Sequence, residues 1–299
     1  YPVAHRGRVM AWFYAAIPVG SALGFLLGGL VLKAGLSWHW AFFIVLPPGL
    51  LLGVWCFLMR DPPRGAAESV VAVDAPLLNK AKLSDYRILL RTPSYLLNTV
   101  GMAAMTFAMG GIAFWMPKYI VWHSHGSIDL GKANAMFGPI IVVSGLLGTL
   151  AGGAMGDWLR PRFGGSYFIV SGVAMGIAFP LFLLLPMTPF PLAWVLIFAT
   201  SFCLFFNTGP TNTILANVTH VSMRAAGYAL NIFVIHALGD AISPWLIGRI
   251  NDHWREGTTE NMDPGFIAVS ITILLGGLCW LWGARYLARD TELAPKRLS

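Results

Sequence analysis

Charge is scarce in this chain. Asp, Glu, Lys and Arg make up 11% of its 299 residues, against roughly a quarter in soluble domains. A soluble fold of this size needs a charged skin, and this sequence cannot supply one. Acid is scarcest, with 13 Asp and Glu against 20 Lys and Arg. Cysteine is scarce as well. Cys56, Cys203 and Cys279 lie far apart in apolar stretches. They read as small hydrophobes, with nothing to suggest a disulfide framework or a metal site. Motifs of common catalytic sites are missing too: there is no G-x-S-x-G, no H-E-x-x-H and no glycine-rich nucleotide loop opening a helix. No cofactor is expected.

What the chain does have is apolar length. Hydrophobic residues make up 57% and the mean hydropathy is +0.68, so lipid must be the solvent for most of the surface. A bilayer core of about 30 Å takes about 20 helical residues to cross. Eight windows are long enough: roughly 9–32, 38–59, 95–117, 134–155, 166–186, 191–215, 225–248 and 265–288. The expected fold is an all-α, multi-pass membrane protein. Asp263-Pro264 marks the start of the last span, a capping side chain followed by a first-turn proline.

Positive charge orients the spans. With the N-terminus in the cytoplasm, fifteen of the 20 Lys and Arg fall on cytoplasmic loops and five on the other side. Both termini are therefore expected in the cytoplasm, in a plasma or inner cell membrane. The same bias explains the net charge of +7 and gives no reason to invoke nucleic acid. The one long polar connection opens "RDPPRGAAES" and closes "LSDYRILLRTPS". It divides the chain into two spans (1–59), a cytoplasmic linker with a short surface helix (60–92) and six spans (93–299). In that short helix Ser84 can cap, and Tyr86, Leu89 and Leu90 share a face.

Polar and helix-breaking residues inside spans mark the candidate site. Pro18, Pro47, Pro48, Pro139, Pro180, Pro210 and Pro244 each remove a backbone hydrogen bond. Gly20, Gly24 and Gly28 form a stripe at four-residue spacing that suits close helix packing or a sliding hinge. In "FFNTGPTNTILANV", Asn207 and Thr211 share one face, Thr208 and Asn212 the next, and Gly209-Pro210 breaks the helix between them. Such residues either line something wet or bond between helices. At the end of the fourth span, "GGAMGDWLRPR" places Asp157, Arg160 and Arg162 where Asp157 can hold a neighbouring helix end or an arginine. Trp115 is either a cavity residue or part of the interfacial aromatic belt.

The sharpest signal is "NIFVIHALGDAISPWLIG". Asp240 is the only acidic residue in any window, and His236 is the only histidine near the middle of one. A carboxylate there costs roughly 3 kcal/mol on insertion scales. Four-residue spacing puts the pair on one face, with Ser243 continuing the stripe. Burial favours the neutral form of each, and the charge of each favours the charged form of the other. The pair's charge then depends on whether water reaches it, as proton coupling requires; a neutral structural pair is the other reading. Membrane acyltransferases separate His and Asp by four residues; here three intervene, Ala237, Leu238 and Gly239.

Several stretches resemble the major facilitator superfamily, and within it the spinster-type lipid transporters. They are "RGRVMAWFYAAIPVGSALG", "SWHWAFFIVLPPGL" followed by "RDPPRG", and above all "HALGDAISPWLIGRINDH"; "GGAMGDWLRPR" is similar to a loop motif of the whole superfamily. The resemblance implies a twelve-helix bundle of two six-helix halves around a central cavity. The eight windows would be the last two spans of the first half and all of the second. It also implies an ion-driven, alternating-access carrier of amphiphiles such as lysolipids or sphingoid lipids. Protons would couple it, and the residue at His236 would line the substrate cavity. A carrier of small organic solutes and a non-transporting receptor or scaffold are the alternatives. Cysteines introduced as Arg64→Cys and Ser127→Cys should react with an impermeant thiol reagent from opposite faces of the membrane. Labelling from one face would overturn both the span count and the orientation.

Overall fold

The computed structural model describes residues 6–60, 86–254 and 261–297. The linker between 60 and 86, with Ser84, lies outside the described residues. The described chain is helical, with no strand among its elements. In order they are α1 (Arg6–Tyr14), α2 (Ala16–Lys33), α3 (His39–Leu58), α4 (Tyr86–Leu90), α5 (Pro93–His123), α6 (Leu130–Leu159), α7 (Ser166–Leu183), α8 (Leu192–Phe205), α9 (Thr208–Val218), α10 (Arg224–Ile235), α11 (Ser243–His253) and α12 (Asp263–Leu293). A π-helical turn, His236–Asp240, joins α10 to α11.

Seven stretches are long and apolar enough to cross a membrane: His39–Leu58, Pro93–His123, Leu130–Leu159, Ser166–Met187, Leu192–Val218, Val221–His253 and Asp263–Lys296. They coincide with seven of the eight expected windows. The first window holds α1 and α2, interrupted at Ala15. Pro18 explains the interruption, because it has no N–H to give to the carbonyl of Tyr14. Pro210 likewise separates α8 from α9, and Pro244 follows the π turn. Pro47, Pro48, Pro139 and Pro180 are carried inside continuous helices.

The helix starts have local causes. Asp129 accepts from the Lys132 amide at 2.9 Å and caps α6; that backbone bond holds its carboxyl below the usual carboxylate range. Pro93 and Pro264 occupy first-turn positions of α5 and α12, where a missing N–H costs nothing. In α4, Leu89 is buried while Leu90 is exposed. The two do not share a face, because only one turn of helix docks against the bundle.

The tightest packing joins α5, α7 and α12, where Tyr119, Phe168, Phe182, Phe266 and Trp280 are fully buried. On the other flank, α1 packs on α6 and α9. α3 packs on α2 and buries none of its residues, as expected for a helix that is apolar on every side and surrounded by hydrocarbon. Among the described residues, Gly20 and Gly24 of the stripe on α2 meet no close neighbour. At Gly20 and Gly24 nothing described lies within 4 Å of where a Cβ would sit. The surroundings of Gly28 lie outside the description. Close approach is made instead by glycines on α6. A Cβ at Gly152 would collide with the carbonyl oxygen of Phe206, the very carbonyl that Pro210 leaves without an amide partner.

That contact sets a contrast within one helix. Gly152→Ala should lower the thermal unfolding midpoint of the purified protein, with a cost of about 1–3 kcal/mol for overpacking. Gly138→Ala, also on α6 but with nothing within 4 Å, should be neutral or stabilising by up to about 1 kcal/mol through helix propensity. Equal effects would remove the packing argument.

Candidate functional site

Two helix breaks, both packed against α5, contribute residues to one cavity. At the first, Asn207 and Thr211 turn back onto their own backbone. Asn207 Nδ2 donates to the carbonyls of Cys203 (2.9 Å) and Leu204 (3.2 Å), and Thr211 Oγ1 donates to the Asn207 carbonyl at 2.8 Å. Both residues are fully buried. They repair the break and lie outside the cavity walls. Thr208 and Asn212, on the adjacent face, line a cavity of about 320 Å³.

At the second break the helix widens. The Ala241 amide bonds back five residues to the His236 carbonyl at 3.1 Å, the π pattern. His236 and Asp240 sit on this turn. His236 Nδ1 lies 2.9 Å from Oδ2 and 3.1 Å from Oδ1 of Asp240, so the ring donates Nδ1–H to the carboxylate. Their side chains are 57% and 40% exposed. A pair this open to its surroundings is not held by close packing, while the acid's position in a span costs roughly 3 kcal/mol. Stability alone does not account for it.

His236 and Asp240 line both the 320 Å³ cavity and an open groove of about 860 Å³ that adjoins it. Gly110 of α5 borders both spaces and makes the contact possible. A Cβ there would lie 2.5 Å from the Asp240 Cβ, so α5 and the π turn touch backbone to backbone.

Two expected residues lie elsewhere. Ser243 is fully buried, and its hydroxyl points at α5 rather than into the cavity. The π turn carries one extra residue, so α-helical spacing no longer places Ser243 beneath Asp240. Trp115 lines neither space. It donates Nε1–H to the Pro244 carbonyl at 2.9 Å and lies against Gly248, holding α11 to α5.

Other wall residues carried no signal that was read. Met102, Met105, Thr106 and Met109 line the cavity from α5, and Asn231 from α10. Asn231 Oδ1 accepts from Thr99 Oγ1 at 2.8 Å, while its amide nitrogen meets only the Met102 sulfur, at 3.5 Å. The spacing of Thr99, Met102, Thr106 and Met109, one polar-and-sulfur face of α5, is the pattern that would have found them.

At the end of the bundle where α1 begins, Asp157 is buried and accepts three hydrogen bonds. They come from the amides of Gly7 (3.0 Å) and Arg8 (2.8 Å) and from the Tyr167 hydroxyl (2.8 Å). A carboxylate at this position satisfies amides that the first turn of α1 leaves open and complements its dipole. Arg160 lies beside Tyr167, and Arg162 stacks over the Trp158 ring at 4.7 Å. A second buried carboxylate, Asp290, accepts from the Ser94 amide at the start of α5 and from Arg297.

Fold and site together define an all-helical, multi-pass membrane protein whose broken helices enclose a cavity with a His–Asp pair in its wall. The chain belongs to the major facilitator superfamily, whose family model matches residues 1–244. It is similar to protein spinster homolog 1 of Xenopus laevis, 32% identical over 311 residues, covering 97% of this chain and 58% of that protein. It is also similar to the sphingosine-1-phosphate transporter of Mus musculus, 30% identical over 315 residues, covering 98% of this chain and 57% of that one. The chain thus spans just under three-fifths of the length of these relatives. A crystal structure of a bacterial homologue of the human lysosomal transporter spinster, inward-facing and unoccupied, shares the fold. Its TM-score is 0.55 and its identity 17%, over 98% of this chain and 66% of that one. The occupied inward-facing form scores 0.57 at 16% identity, over 96% and 67% of the two chains.

Asp157→Ala removes three acceptor contacts and should destabilise the purified protein by roughly 3 kcal/mol or more, whereas Tyr167→Phe removes one and should cost about half as much. Thermal unfolding in detergent gives both numbers. An Asp157→Ala protein as stable as wild type would show that the N-terminus of α1 is held by other means.

Proposed function

We propose that this chain belongs to a secondary active transporter that works by alternating access, is proton-coupled and carries an amphiphilic, lipid-like substrate of the lysolipid or sphingoid class. What supports this reading is the position of His236 and Asp240, which border both a half-open cavity and a wider, shallow groove that adjoins it. A titratable pair between two spaces is suited to exchanging a proton with each in turn. The cavity walls suit an amphiphile, with apolar Met102, Met105, Met109, Ile232 and Ile235 around few polar groups. The name of one relative, the sphingosine-1-phosphate transporter of Mus musculus, supports a lipid cargo. In this reading the protein moves its substrate chemically unchanged, so the pair is no catalytic centre.

Asp157, with Arg160 and Arg162 beside it, would act as a clamp at the cytoplasmic end. It joins α1, from the first-half spans, to α6 of the second half, and releasing its bonds would let the two groups separate. Gly20, Gly24 and Gly28 would leave the adjoining α2 free to slide against a neighbouring helix. Both termini would face the cytoplasm, across a plasma or inner membrane.

The test is pH-driven uptake of a lysolipid into vesicles, measured beside equilibrium binding. Asp240→Asn keeps the shape and a hydrogen bond to His236, so it should cost about 1 kcal/mol of stability. Driven uptake should fall far more than binding does. His236→Ala should weaken binding by removing a polar anchor. If Asp240→Asn leaves the pH dependence of uptake unchanged, Asp240 does not couple protons.

A further inference from the structure

A separate concavity lies on the outer surface of the bundle and shares no lining residue with the spaces at the π turn. α6, α7 and the end of α8 form a groove of about 370 Å³ there. Val170, Ala174 and Cys203 in it are buried, while Met155, Val173 and Ile177 are exposed. Every lining residue is apolar. Phe202 and Phe206 also line it, with ring centroids 5.6 Å apart. From Ile169 to Ile177 the groove follows α7 over eight residues, about 12 Å at the helical rise. On a membrane-spanning surface such a slot fits part of an acyl chain.

One end of the slot is cationic. Leu159 ends α6, Ile169 lies in the first turn of α7, and both line the groove. The connection between these helices reads Arg160-Pro161-Arg162-Phe163-Gly164-Gly165, with two cations and no acid. Met155, Trp158, Leu159 and Arg162 follow at three- and four-residue spacing along the end of α6 and just past it, so they share a face. The Arg162 amide donates to the Leu159 carbonyl at 3.0 Å, and its guanidinium lies over the exposed Trp158 ring, 4.7 Å from the centroid. Stacking occupies the flat face of the guanidinium and leaves its N–H fork in the plane for oxygen acceptors. Asp157, the acid on this turn of α6, is buried and already accepts three hydrogen bonds.

The first-half helices dock on another side of α6. At this level α1 packs against Gly153, where an added Cβ would lie 2.5 Å from the Ala11 Cβ. Met155, two residues on, is about 160° around the helix from that contact.

We propose that this groove holds one anionic phospholipid: an acyl chain lies in the slot, and the phosphodiester sits in the N–H fork of Arg162, with Arg160 beside it. In the orientation proposed above this is the cytoplasmic leaflet, whose surface is negative. The lipid is a resident of the outer surface, separate from any cargo. It braces α6 and α7 against the end of α8, where the helix breaks. The inference rests neither on transport nor on the cavity at the π turn.

Lipid binding to the purified protein in detergent, read by native mass spectrometry, tests this. Phosphatidylglycerol and phosphatidylcholine with the same acyl chains are titrated in parallel. One phosphatidylglycerol should bind about tenfold tighter than phosphatidylcholine, the size of a charge-assisted contact. Arg162→Ala should remove the preference. Arg285→Ala removes an arginine that likewise lies over a tryptophan, Trp282, but does not line the groove; it should leave the preference intact. Val173→Trp fills the groove from an exposed position and should weaken phosphatidylglycerol binding about tenfold. Equal affinities of the wild type for the two lipids overturn the proposal, with no variant needed. So does a preference that survives Arg162→Ala. An equal fall with Arg285→Ala assigns the preference to net charge and overturns it too. Phosphatidylglycerol binding untouched by Val173→Trp puts the lipid elsewhere, and a dimer that Val173→Trp breaks gives the groove to a second copy of the chain; either result overturns the proposal.

Discussion

No water is available in a bilayer core to satisfy a backbone amide or carbonyl, and the structure is arranged around that constraint. At several places where a helix begins or breaks, a nearby side chain supplies the missing donor or acceptor. Asn207 takes up the last carbonyls of α8. Asp157 and Asp290, at the ends of α6 and α12, hold the first amides of α1 and α5. The two aspartates also join segments distant in sequence, so there satisfying the backbone and assembling the bundle are the same event. The approach of Gly152 to the Phe206 carbonyl has the same logic, since a side chain there would push α6 away from the break.

The breaks that need repair are also the ones that make the cavity. A continuous α8–α9 helix would carry Asn207, Thr208, Thr211 and Asn212 on a regular surface. Asn207, Thr211 and Asn212 all donate to backbone carbonyls, and Thr208 and Asn212 also border the cavity. The π turn between α10 and α11 acts similarly. It brings Asp240 against Gly110 and leaves its carboxylate between two spaces, paired with His236. The pair lies open to these spaces and is not locked into packed protein.

Much of this was readable beforehand because helical period is a strong signal. The spans, the His236–Asp240 pair, and the grouping of Asn207 with Thr211 and of Thr208 with Asn212 all follow from 3.6 residues per turn. Ser243 was misplaced because one π turn shifts that period by a residue. The glycine stripe on α2 looked like a contact surface, yet the described neighbours leave Gly20 and Gly24 open. Trp115 looked equally suited to a cavity or an interface and in fact braces α11. Asn231 and the α5 methionines were passed over because single polar or sulfur-bearing residues in long apolar helices are ordinary core residues.

By itself, the sequence determined the number and length of the apolar helices, the scarcity of charge within them, and which side chains share a helix face. Only the tertiary structure decided which face meets a neighbour, which meets the cavity and which is left to lipid. The physical reason is that a helix in hydrocarbon is apolar wherever it touches protein or lipid, so hydrophobicity cannot distinguish the two. The distinction is made by the close approach of one backbone to another and by the partners found for freed polar groups, and neither is written in any single helix.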